Sequence, residues 1–118
     1  MSESKRLDID HHSILFINHY SPTRNGFSHT SYLYIDNIQH SRSKINYLNR
    51  TWERYTYQSA MKRAAENALE QFKARLTDDY KRQHGYSRMT PQRQAAFDSL
   101  FSTHPTVKLY TQILEGLK

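Results

Sequence analysis

Cysteine is absent from this 118-residue chain, which rules out a disulfide framework and any thiolate metal site. Glycine and proline number three each, too few for a Gly-rich phosphate loop. Gly-x-Ser-x-Gly is missing, and without cysteine there is no thiol nucleophile. No zinc-finger or basic-zipper signature is present. No run of about 18 apolar residues exists, so no helical membrane span is expected. The opening, Met-Ser-Glu-Ser-Lys-Arg-Leu-Asp, has no apolar signal-peptide core. These absences point to a non-enzymatic protein of a reducing cytoplasm that needs no cofactor.

What is present is aromatic and basic. Mean hydropathy is −0.91, yet aromatic residues make up 13% of the chain, nine of them Tyr. Disordered chains are poor in aromatics, so the reading is one small folded domain, 1–118, with a wet surface. The net charge of +6 is unevenly placed. Between Tyr20 and Arg63 lie Arg24, Arg42, Lys44, Arg50, Arg54, Lys62 and Arg63, opposed only by Asp36 and Glu53. The stretch from Ala64 to Arg88 is nearly balanced. Such asymmetry is the footprint of a polyanion partner, or else a basic solvated face.

The periodicity predicts an α+β domain. Residues 1–11 are polar and charged and expected to fray at the start. Residues 12–49 read as a small antiparallel sheet of two to three strands. The first holds Ile14-Leu15-Phe16-Ile17, and Ser21 to Gly26 makes a turn. His29 to Ile38 alternates, with Leu33 and Ile35 on one face and Tyr32 and Tyr34 on the other. Lys44 to Leu48 is a third strand or an extra helical turn. From 51 to 84 the period becomes helical, with Thr51 or Asn49 as N-cap and Trp52, Tyr55, Met61, Ala65, Ala68, Phe72, Leu76 and Tyr80 as the apolar stripe. Trp52 is read as core. The helix is long enough that a kink or break is expected near Thr77-Asp78. Gly85 stops it. Two short helices follow over 90–117, begun by Thr90-Pro91 and Pro105 and joined at Thr103-His104 as a helical hairpin.

Several constellations carry chemistry. On a helix beginning near Thr51, Arg50, Arg54, Gln58 and Lys62 recur every four residues and line one face, a row that can follow phosphates. Arg42 and Lys44 add charge from the preceding segment. Tyr32, Tyr34 and Tyr57 are candidate stacking or interface rings. Tyr32 and Tyr34 either meet a ligand or pack under the C-terminal helices, and both readings stand at this point. Asp8, Asp10 and His12 would share one face of an extended segment, beside His11, but no His-x-x-x-His or Glu-x-x-His spacing accompanies them. Metal-dependent hydrolysis is therefore the remote reading, and the expectation is no metal.

The box Tyr47-x-Asn49-Arg50-Thr51-Trp52-Glu53-x-Tyr55-x-Tyr57-Gln58-Ser59 resembles one found in small, mostly uncharacterised proteins of bacterial phages, plasmids and conjugative elements. The resemblance covers roughly residues 28–70. It implies a mobile-element protein at work in a bacterial host cytoplasm, and it supplies no catalytic residues. Such elements often carry small proteins that bind nucleic acid or block defence complexes. The expectation is thus a binding protein that engages DNA, RNA or a nucleoprotein complex. The alternative is a protein inhibitor of a host defence effector such as a CRISPR complex. An inhibitor that mimics nucleic acid would be acidic, which this chain is not.

Overall fold

Alternation of apolar and polar residues carries the N-terminal half into a four-stranded antiparallel meander. The computed structural model describes residues 2–48 and 57–118. Strands β1 (Ser2–Ile9), β2 (His12–Thr23), β3 (Gly26–Ile35) and β4 (Ile38–Leu48) lie in the order β1-β2-β3-β4. Helices α1 (Gln58–His84), α2 (Pro91–Ser102) and α3 (Pro105–Gly116) follow.

The sheet has four strands, which corrects the expectation of two to three. Residues 2–9 do not fray. They pair with β2 from Ser2 opposite His19 to Ile9 opposite His12. Their polarity is that of an edge strand, which needs only alternate apolar residues and keeps charge along its rim. Leu7 and Ile9 are those apolar residues, and both pack on the core. The alternation from His29 to Ile38 is also two elements. Asp36 and Asn37 adopt positive φ, 51° and 68°, so β3 stops at Ile35 and β4 begins at Ile38. Asp and Asn tolerate this left-handed turn, whose twist suits a two-residue hairpin. The turn is tied down further. The Asp36 N–H donates to the Ser13 carbonyl at 2.9 Å, and its carboxylate accepts from the Ser13 N–H at 2.9 Å. The strand expected at 44–48 thus starts six residues earlier, at Ile38.

Helix α1 runs unbroken from Gln58 to His84, with no interruption at Thr77-Asp78. The Thr77 hydroxyl donates to the Lys73 carbonyl at 2.8 Å, within the helix. The expected start near Thr51, the caps Thr51 and Asn49, and Trp52 and Tyr55 lie outside the described residues. Gly85 ends the helix at φ 69°, and the Tyr86 N–H reaches back to the Lys81 carbonyl at 2.8 Å. That left-handed position is why Gly stands there. Thr90 caps α2 and Pro91 and Pro105 open α2 and α3, as the sequence predicts, and the His104 ring, accepting from the Thr106 N–H, caps α3.

All three helices lie on one side of the sheet. Ile14, Phe16, Leu33 and Ile35 point to that side and are buried. Helix α1 meets them through Met61, Ala64, Ala65 and Ala68, with Ala60 buried on the same helix. Small residues bring the helix backbone close to β4, where the Ser41 and Ser43 hydroxyls donate to the Ala64 and Ala60 carbonyls. Helix α3 closes the layer with Leu109, Tyr110 and Ile113, and Leu117 just past its end joins them. Each fully buried large side chain contributes about 1.5–3 kcal/mol. Helix α2 buries only Phe97 and packs on the outside of α1 and α3.

Candidate nucleic-acid interface

The same alternation that buries one face turns the other away from the described helices. No described helix covers the side that carries Leu15, Ile17, Tyr32 and Tyr34, which are half-buried by one another. Register sets these residues in rows across the strands. Arg6, Leu15 and Tyr34 form one row; Ser4, Ile17, Tyr32 and Arg42 the next; His19, Thr30 and Lys44 the third. His19 meets Tyr32 edge to face, centroids 5.7 Å apart at 81°. Arg42 and Lys44 are exposed. Ion pairs among the described residues join His12 to Asp36, Arg82 to Asp79 and Lys118 to Glu115. None involves Arg42 or Lys44, so their charge remains available to a partner. Asp8, the acidic strand residue of this side, sits at its far end opposite Ser13, whose backbone N–H donates to the Asp36 carboxylate in the adjoining turn. Two hydrogen bonds, first from the Ser13 N–H and then from His12, hold the Asp36 carboxyl below its usual pKa.

The other sequence candidates go elsewhere. Tyr57 is buried at 8% exposure, in the core cluster, its ring 4.4 Å from that of His29. Burial pushes its phenol pKa up. It is a packing residue. The Gln58 side chain donates to the Leu117 carbonyl and so pins α3 to α1. Lys62 is exposed, but it lines a groove between α1 and α3 with Glu66, Glu115 and Lys118. Gln58 and Lys62 therefore belong to the helical side, away from Tyr32 and Tyr34. Arg50 and Arg54 lie outside the described residues. Of the described candidates the fold brings together Tyr32, Tyr34, Arg42 and Lys44.

Sequence reasoning missed Leu15 and Ile17, which were read as part of one apolar run. It also missed the α1 face that meets the β4 edge, lined by Arg63, Asn67, Gln71 and Arg75. The signal was there, four residues spaced by four, but choosing it over the Gln58–Lys62 row requires knowing which side of the helix the sheet occupies. His40 was missed too. A bulge in the β3–β4 pairing next to Leu33 and Tyr34 places it out of the regular alternation. Its Nδ1 lies 2.8 Å from the Tyr110 hydroxyl.

Among the described residues no three His, Asp or Glu side chains stand together as a metal site. Asp8 and Asp10 do not share a strand face with His12, because Asp10 turns the chain at φ 54°. His12 is engaged with Asp36 at 2.7 Å. No described helix is long and apolar enough to cross a membrane. No protein-family model matches the chain, and no curated protein or solved structure matches it either.

Proposed function

We propose that this protein binds single-stranded nucleic acid on the open face of its sheet. One observation carries the reading. Tyr32 and Tyr34 stand on a sheet face that no described helix covers, with Arg42 directly across from Tyr32 and Lys44 across from Thr30. Exposed aromatic rings on a sheet offer stacking platforms to unpaired bases, and cations on the next strand meet the phosphates between them. Residues two apart on a strand are about 7 Å apart. That is roughly twice the 3.4 Å rise per nucleotide of a helical strand, so the rings suit a strand pulled out of stacking rather than a duplex.

The test is binding of a mixed-sequence single strand and of its duplex at about 50 mM salt, where phosphate contacts are strongest. The single strand binds more tightly. Tyr32→Ala combined with Tyr34→Ala weakens it by about 1–3 kcal/mol per lost stack while the circular dichroism stays native. Absence of any binding at that salt overturns the proposal.

A second reading draws on Leu15 and Ile17. They give the face an apolar centre with a polar rim, which is the anatomy of a protein interface. A protein inhibitor working on a defence complex would use the same Tyr and Arg as anchors. It is favoured if the chain binds no nucleic acid and the Tyr double variant loses its inhibitory effect in the host.

A further inference from the structure

The groove along the β4 edge continues the open face. Two hollows adjoin there. One, of about 510 Å³, is lined by Thr30, Tyr32, Arg42 and Lys44 from the sheet together with Arg63 and Asn67 of α1. The other, of about 590 Å³, lies further along α1 and is lined by Gln39, His40, Gln71 and Arg75, with Ile38 at its rim. Arg63, Asn67, Gln71 and Arg75 repeat every fourth residue, so they stand in one row about 18 Å long. Asn67 fixes the row to the sheet by donating to the Arg42 carbonyl at 3.1 Å. The edge strand is thereby covered by a helix rather than left as a template for another strand.

The row is one-signed. Among the described residues no carboxylate lines either hollow. Of the four acids of α1, Glu66 faces α3, Glu70 and Asp78 face a depression shared with Asp98 of α2, and Asp79, one turn beyond the end of the row at Arg75, pairs with Arg82. None of the ion pairs among the described residues uses Arg63 or Arg75. Two arginines separated by two amides give phosphate ligands at the ends and neutral hydrogen-bonding groups between them. That pattern suits a phosphodiester chain laid along the helix and not an isolated anion.

We infer that a single nucleic-acid strand bound on the open face turns over the β4 edge and runs down this groove, its phosphates held by Arg63 and Arg75. The inference rests on the proposed function above and adds the path of the strand and the length of the site. Tyr32 lies at the junction, since it belongs both to the open face and to the first hollow.

The experiment compares strands of about 6 and about 12 nucleotides, lengths within the usual range of single-strand sites. Arg63→Gln with Arg75→Gln is set against Lys73→Gln with Lys108→Gln, an equal loss of charge at exposed positions outside the groove. The native protein binds the longer strand at least about tenfold more tightly. The groove variant loses that advantage and keeps its affinity for the shorter strand, and its log K against log salt slope falls by about 1.4, two contacts at roughly 0.7 each. The control variant keeps the length advantage. Equal affinity for both lengths in the native protein overturns the path but leaves the open-face reading intact, as does an equal loss in the two variants. Failure of the native protein to bind either strand overturns both.

Discussion

His40 shows what one displaced residue does to a small core. Burial first, and then the nearby Arg75 guanidinium, hold its imidazole below the usual 6.5, against a weaker opposing pull from Asp36. With the ring neutral and its proton on Nε2, the Tyr110 hydroxyl donates to Nδ1. Tyr110 is itself buried at 2% exposure, and burial raises its phenol pKa. The unfolded chain restores His40 to its ordinary value and so takes up the proton at higher pH than the folded chain. The stability gained by keeping the ring neutral is complete above 6.5 and is lost as pH falls towards the lower folded value. Unfolding by urea at a series of pH values should therefore show the native protein weakening as pH falls below about 6.5, and His40→Gln should flatten that slope. An unchanged slope would mean that other histidines govern it.

Among the elements, α1 does most to define the molecule, and it does so with alanine. Its inner face carries Ala60, Ala64, Ala65 and Ala68, all buried, where larger residues would hold the helix away from β4. Close approach is what lets Ser41 and Ser43 reach the helix carbonyls. Ala64→Leu should overfill this seam and cost about 1–3 kcal/mol in urea unfolding. Ala74→Leu, exposed on the same helix, should change stability by no more than about 0.5 kcal/mol. If the two substitutions cost the same, the alanines reflect helix propensity and not packing. The inner stripe was visible in the sequence from Met61 to Ala68, but its partner was not. A serine on an alternating strand reads as a wet residue, and here two of them are buried because a helix backbone accepts their protons.

At the scale of the whole molecule the helices make a lopsided cover. Helices α1 and α3 share one core with the sheet, while α2 adds only Phe97 and leaves Leu100 61% exposed. Amide hydrogen exchange should find β2, β3 and the middle of α1 opening only with global unfolding. Helix α2 should exchange through a local opening of lower free energy. Equal protection of all three helices would show that α2 is part of the cooperative unit. Under the proposed function the lopsided cover also sets the geometry, because the described helices protect one side of the sheet and leave the other, with its aromatic and basic rows, for a nucleic-acid strand.

By itself the sequence determined the α+β class, the long helix with its Gly85 stop, the two C-terminal helices with their Thr90-Pro91 and Pro105 starts, and the opposition of Tyr32 and Tyr34 to Leu33 and Ile35. These rest on local rules: period, capping and turn chemistry act within a few residues, so they are legible in order along the chain. The tertiary structure decided the number of strands, since β1 earns its place only by pairing with β2. It also decided which row of α1 cations faces the sheet edge, because a helix offers several equally spaced rows and only packing selects one. It moved Tyr57 and Gln58 into the interior contacts of α1 and left Tyr32, Tyr34, Arg42 and Lys44 outside. Burial is a property of what lies opposite a residue, and that is not written next to it in the chain.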